Sequence, residues 1–310
     1  MGGSGSGFPY PSSSAEDLAK KIRDAEQEEK NHVFDIEVNE LLSKTLLKAN
    51  ERDAEKINDY LNNIAKAIEL GVEGTLNIRY GGSVAKHTYV DGLSDVDTLA
   101  LINDTSLIGK TPTEVKTLFA EKIRKKYPDA EITVGNLAVT IKYDDKSEIQ
   151  ILPAIKTSKG YKIQSAQSTD KWSRINPESF AKALRSVNIK MQGKMIPIIK
   201  LVKSILLKLP ERRKMTGYHI EASAIEVFKN YNGPKNNKEM LKHFFEQSSK
   251  VVLNPIKDKT GQSAHVDGYL GNKNSIPRQL VSDSLSIISR RIQNADATSN
   301  SMFWRELLGT

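Results

Sequence analysis

The chain has 310 residues, with 46 Lys and Arg against 38 Asp and Glu, a formal net charge of +8 and no cysteine. That length can bury a sizeable core in one large domain or two lobes, and the lack of cysteine excludes disulfides and cysteine-ligated zinc. No apolar run approaches the roughly 18 residues that cross a bilayer and no secretory leader is legible, so the sequence reads as a cytoplasmic protein; its basic balance suits nucleotides or nucleic acid, and equally an ordinary lysine-rich surface.

Residues 1–12 begin MGGSGSG and read as a flexible linker or tag remnant. Ser13-x-x-Glu16 reads as a capping box that opens a charged helix to about Asn31. A second helical pattern runs from about Val38 to Leu70, with Leu41, Leu42, Leu46, Ile57, Leu61, Ile64 and Ile68 apolar and Gly71 as its stop. Thr75–Tyr80 reads as a short strand, followed by the turn Gly81-Gly82-Ser83. Ser94–Ile102 is rich in β-compatible residues and reads as a buried strand. Thr111-Pro112-Thr113-Glu114 opens a helix that ends near Tyr127-Pro128. Glu131–Val134, Leu137–Tyr143 and Glu148–Ile155 read as strands, with a hairpin turn at Asp144-Asp145-Lys146.

Helical patterns dominate after Gly160: about Pro177–Gln192, Met195–Leu209, Gly217–Tyr231, Asn237–Val252, Pro277–Ala297 and Ser299–Leu308. Gly, Asn and Pro clusters separate them. The expectation is an α+β protein. A catalytic lobe over 13–165 has a small mixed sheet with helices, a helical lobe covers 166–310, and a cleft lies between them.

The chemistry concentrates at two places. Asp95 and Asp97 are two apart on a strand, so they share a face with Cα atoms about 6–7 Å apart. Two carboxylates so close repel unless a cation sits between them, and hard oxygen ligands suit Mg²⁺. The Gly81-Gly82-Ser83 turn lets backbone N–H groups approach a phosphate. Either feature alone is ordinary; in this order, before an apolar strand, the pair is specific.

The segment GGSVAKHTYVDGLSDVDTLALI resembles the signature of the DNA polymerase β-like nucleotidyltransferases. The longer match, from about Leu41 to the C-terminus, resembles the cGAS/DncV-like branch, the bacterial CD-NTases of antiphage (CBASS) signalling. The resemblance implies that Gly82 and Ser83 hold the triphosphate of a donor NTP. It also implies that Asp95 and Asp97 are catalytic and hold two Mg²⁺ ions, with Mn²⁺ as a substitute. A third acid is expected three residues before a Pro-Ala; here that position is Gln150, before Pro153-Ala154. An amide can ligate a cation and face the nucleotide, but brings no charge and is a poor proton acceptor. Three readings stay open: Glu148, two residues earlier, supplies the missing charge as a metal ligand, two aspartates suffice, or Glu148 is an exposed edge residue.

In the helical lobe, Lys203 (rather than Lys200) matches the family lysine that reaches the donor phosphates. Met215-Thr216-Gly217-Tyr218-His219-Ile220-Glu221 resembles the family's helix-start motif, in which the tyrosine, Tyr218 here, stacks on the donor base; Gly217 lacks the hydroxyl usual there. Plain readings remain for Lys203 as a snorkelling lysine and Tyr218 as a core tyrosine. His219 is expected to pack, His87 to be a loop residue, Trp172 and Trp304 to be core anchors, and Arg278, Arg290 and Arg291 to lie on a solvated face.

The implied function is a synthase of a cyclic di- or trinucleotide second messenger from NTPs, ATP among them, with release of pyrophosphate. CBASS regulatory or effector proteins are the implied partners, and neither nucleic acid nor membrane is required. Two alternatives are an RNA-extending nucleotidyltransferase and a catalytically degenerate nucleotide- or RNA-binding module, the latter favoured by Gln150.

Overall fold

The computed structural model describes residues 14–50, 54–70, 72–90, 96–145, 147–165, 168–206, 208–261 and 263–309. The linker 1–12, Ser13, Gly71, Lys146 and Asp95 lie outside the described residues. Among those described, no helix is long and apolar enough to cross a membrane.

Two long helices come first, α1 (Ala15–Lys48) and α2 (Ala54–Glu69). The expected break between Asn31 and Val38 is absent. No Gly or Pro interrupts that stretch, so nothing stops propagation through it. The capping box at the start of α1 belongs to Ser14 and Asp17, one residue beyond the expected pair.

The sheet follows. Its strands are β1 (Asn77–Tyr80), β2 (Val96–Leu101), β3 (Glu131–Val134), β4 (Val139–Lys142), β5 (Glu148–Thr157), β6 (Gly160–Ser165) and β7 (Ser168–Ile175). Two helices interrupt them: α3, a single turn at Gly82–Ala85, and α4 (Pro112–Lys126), opened by the expected Thr111–Glu114 capping box. The strand order is β1-β2-β5-β4-β3, with β6 on β5 and β7 on β6. Only β2 and β5 run parallel, and the remaining neighbours are antiparallel, as expected of a small mixed sheet.

The expected lobe boundary after residue 165 falls inside the β6–β7 hairpin, where Gln164 pairs with Trp172. The sheet therefore continues to Ile175. The polar run Ser168-Thr169-Asp170-Lys171 hides this strand from a hydrophobic pattern.

Among the described residues six α-helices follow: α5 (Pro177–Lys190), α6 (Met195–Leu206), α7 (Gly217–Phe228), α8 (Asn237–Val251), α9 (Ile276–Ala297) and α10 (Ser301–Leu308). Asn176, Thr216, Asn236 and Asn300 cap α5, α7, α8 and α10 through their side-chain oxygens.

Apolar side chains gather into two principal cores. Ile57, Ile64 and Ile68 of α2 and Val115, Phe119 and Ile123 of α4 pack on Val96, Ala100, Ile141, Ile149 and Ile151 of the sheet. The helical core includes Ile198, Val202, Ile220, Phe244, Leu285 and Trp304. Phe34, Val38, Leu41 and Leu42 of α1 join it, so α1 packs with the C-terminal helices and not with the catalytic lobe to which the sequence assigned it. Arg278 is also corrected: it is 0% exposed, bonded to Asp267 at 2.7 Å and to backbone carbonyls of Val252 and Gly271. His219 is buried as expected, and burial pulls its pKa down, so the ring is neutral.

Candidate active site

Strand alternation sends Val96, Thr98 and Ala100 into the core against α2 and α4. Asp97 therefore faces the other side of the sheet. β1 leads directly into the glycine turn beside it. Gly81 N–H donates to the Asp97 carbonyl oxygen at 2.8 Å. Gly82 has φ of +47°, and a Cβ there would stand 1.7 Å from Asp97 Oδ2. The Ser83 backbone N–H donates to the Asp97 carboxylate. The predicted turn and the predicted aspartate are thus in contact. Burial raises the Asp97 pKa, and Glu221 adds to this; Lys86, the Ser83 N–H and Lys203 oppose it.

Asp97 pairs in register with Gln150 on β5. Neighbouring strands lie about 4.8 Å apart, and registered residues of a parallel pair share a face. The amide expected at the third-acid position is therefore beside the carboxylate. Glu148 stands two positions along the same strand, opposite Lys142 in register, with its carboxylate 3.9 Å from Lys142 Nζ. Asp95 lies outside the described residues.

The helical lobe supplies a second layer. Lys203 of α6 is 2% exposed, and its Nζ donates to Glu221 of α7 at 2.8 Å and to the Thr88 carbonyl at 3.0 Å. Lys200 instead turns to Asn50. Lys86 Nζ and the Thr88 hydroxyl also donate to Glu221. Burial lowers the Lys203 pKa against the pull of Glu221. Burial works to raise the Glu221 pKa, but Lys86 and Lys203 outweigh it and hold Glu221 ionised. Lys86, Thr88 and Glu221 are not singled out by the sequence, because the contacts of Lys86 and Thr88 with Glu221 span more than a hundred residues and no local pattern marks them.

Tyr218 follows Gly217 in the first turn of α7, which Thr216 caps. A Cβ on Gly217 would lie 3.4 Å from Lys203 Cε, so the bare glycine brings that backbone against the lysine. The Tyr218 ring centroid is 4.6 Å from that of Phe180 and 5.2 Å from Lys86 Nζ. Its hydroxyl donates to Asp258 at 2.9 Å, and Asp258 is held in turn by Thr260 and Ser263. Burial pushes the hydroxyl pKa up, so Tyr218 is neutral.

Among the described residues, no group of three or more His, Cys, Asp or Glu side chains could hold a metal, and Asp97 forms no ion pair. A half-buried carboxylate that accepts a backbone N–H, in register with an amide side chain, offers the hard oxygen donors that a divalent cation takes.

The profile of the Second Messenger Oligonucleotide or Dinucleotide Synthetase domain matches residues 36–188. No curated protein matches the chain. Solved structures share its fold. CdnC of E. coli MS115-1, determined with ATP, superposes with a TM-score of 0.65 at 12% identity, over 88% of this chain and 98% of that one. CdnG of Bradyrhizobium diazoefficiens, in complex with GTP, gives 0.66 at 11% identity, over 88% and 96%. The Vibrio cholerae cyclic AMP-GMP synthase DncV, with a linear intermediate, gives 0.62 at 10% identity, over 96% and 89%. At these identities the superpositions speak for the fold, and the domain profile for the family. Residues 36–188 are thus a Second Messenger Oligonucleotide or Dinucleotide Synthetase domain, in a chain that has the fold of CdnC, CdnG and DncV.

Proposed function

We propose that this protein joins NTPs into a cyclic di- or trinucleotide second messenger, releasing pyrophosphate, in the cytoplasm of a bacterium as part of antiphage defence. The observation that carries this reading is the contact of the Gly82–Ser83 turn with Asp97, in register with Gln150, with Lys203 from the last turn of α6 and Tyr218 from the start of α7 held against the same turn through Glu221, Lys86 and Thr88. The family match and the nucleotide-bound neighbours support it.

In this reading the Gly82 and Ser83 amides hold the donor triphosphate, and Lys203 meets its charge. Tyr218 stacks on the donor base, with its ring fixed by Asp258 and Phe180. These groups align the α-phosphorus for in-line attack by a ribose hydroxyl. Asp95 and Asp97 would hold two Mg²⁺ ions, or Mn²⁺ in their place, with Gln150 as a neutral oxygen donor and Glu148 supplying further charge. The bound ions supply Lewis acidity toward the attacking and leaving oxygens. Gln150 cannot take a proton, so the attacking hydroxyl loses its proton to water or to an aspartate of the pair.

CdnC of E. coli MS115-1 has been solved as a CdnC:HORMA-deltaN complex. A regulatory or effector protein of the CBASS type is the partner this reading expects. Gln150 favours a second reading, a degenerate module that binds nucleotide without chemistry. Incubation of the pure protein with four NTPs and Mg²⁺, with and without RNA, followed by mass analysis, separates these two readings and the RNA-extending alternative. Cyclic products support the synthase, products appearing only with added RNA support an RNA-extending transferase, and bound but unchanged NTPs support the binding module.

A further inference from the structure

Glu221 is 1% exposed and sits one turn past Gly217 on α7. Its Oε1 accepts from Lys203 at 2.8 Å and from the Thr88 hydroxyl, and its Oε2 accepts from Lys86. Lys203 closes the ring by donating to the Thr88 carbonyl at 3.0 Å. Lys86 caps the C-terminal end of α3, the turn that begins at Gly82. One buried carboxylate therefore ties the glycine turn of the sheet to α6 and α7 of the helical lobe.

The backbone is bent to make this junction. His87, between Lys86 and Thr88, has φ of 59°, in the left-handed region. That region is costly for a residue with a Cβ. Lys86 Nζ also lies 5.1 Å from the Phe180 ring centroid and 5.2 Å from that of Tyr218, so the same ammonium touches the wall assigned to the donor base. Stability alone is a poor account of a cluster with two buried charges, Glu221 and Lys203, and a half-buried one, Lys86, since such clusters often gain little over apolar packing. A cluster that fixes geometry at the point where two lobes meet is the better-attested use.

We propose that Glu221 is a positioning residue for donor nucleotide binding: it fixes the Gly82–Ser83 turn, through Lys86 and Thr88, in one frame with Lys203 and Tyr218. The proposal rests on the functional reading above. Glu221 touches no substrate in this role. Its work is to set the distance between the turn and the helix start before the triphosphate arrives, so that binding energy is not spent on closing the cleft.

The test measures NTP binding by equilibrium dialysis in Mg²⁺, using each of the four NTPs, on wild type, Glu221→Gln, Lys86→Gln, Lys86→Arg and the Glu221→Gln/Lys86→Gln double variant. The expected result is that each Gln variant binds the donor NTP about tenfold more weakly, and that the double variant is no weaker than the worse single, as for residues acting in one unit. Lys86→Arg restores binding. Near-wild-type affinity in folded Glu221→Gln and Lys86→Gln overturns the proposal, as do additive losses in the double variant. Should Glu221→Gln fail to fold, the pair Lys86→Gln and Lys86→Arg decides alone: weakened then restored supports it, unchanged overturns it. If wild type binds none of the four NTPs, the functional reading falls and this inference with it; if wild type binds and the variants bind equally, only this inference falls.

Discussion

Gly82 and Asp97 are packed so closely that a Cβ on Gly82 would stand 1.7 Å from Asp97 Oδ2. Gly82 also holds φ of +47°, which an L side chain adopts at a cost. Gly82→Ala therefore meets both backbone strain and a carboxylate that must swing away. The expected outcome is a loss of about 1–2 kcal/mol in stability and a fall in turnover of about a hundredfold, the size of effect an ångström of misplacement produces. Thermal melts and pyrophosphate release measure the two together.

The raised pKa of Asp97 gives a stability prediction. A carboxyl whose folded pKa lies above its unfolded value contributes stability that is present below the unfolded pKa and lost as pH rises through the folded one. At neutral pH the metal-free protein carries that penalty, because burial opposes the ionised form. Asp97→Asn removes it. The variant is expected to melt higher than wild type at pH 7 without metal, and at no higher temperature once the pH is low enough to protonate Asp97. Added Mg²⁺ should raise the melting temperature of wild type and leave the variant unchanged. Melting curves across pH, with and without Mg²⁺, check this.

Tyr218 has two separable roles. Its hydroxyl bonds Asp258 at 2.9 Å, and in the proposed function its ring stacks on the donor base. Tyr218→Phe should cost about 1 kcal/mol of stability, the worth of one hydrogen bond, and keep nucleotide affinity. Tyr218→Ala should lose about 1–3 kcal/mol of donor binding. Kd values for both variants, set against their melting temperatures, distinguish the roles; equal affinity in Tyr218→Ala and wild type removes Tyr218 from the base site.

Glu148 and Gln150 divide the third-acid question. Gln150 is in register with Asp97, and Glu148 is two residues further along with Lys142 across from it. Gln150→Glu puts a second charge beside Asp97 and should lower the Mg²⁺ concentration needed for half-maximal turnover. Glu148→Ala should raise that concentration severalfold if Glu148 supplies charge to the metals. An unchanged Mg²⁺ titration in Glu148→Ala means the two aspartates suffice.

Much of the candidate site's geometry was legible because its parts are close in sequence. Gly82, Ser83 and Asp97 are read from one short segment, and Gln150 from its spacing to Pro153-Ala154. Most helices of the C-terminal half matched their apolar periodicity and caps within a few residues. What escaped depends on distant partners. Glu221 stands in a motif that the sequence flags, yet only the fold brings Lys86, 135 residues away, against it. Arg278 looked like a surface residue until Asp267 and five backbone carbonyls surrounded it. β6 and β7 both escaped: six of the eight residues of β7 are polar, and its place is set by pairing with β6.

In the proposed function, the joining of NTPs depends on Asp97 beside the Gly82–Ser83 turn. The direct test is pyrophosphate release, with mass analysis of the nucleotide products, from wild type and Asp97→Asn supplied with four NTPs and Mg²⁺. A cyclic oligonucleotide with stoichiometric pyrophosphate from wild type, and neither from the variant, is the predicted result. The same products from Asp97→Asn, or none from wild type, contradict it.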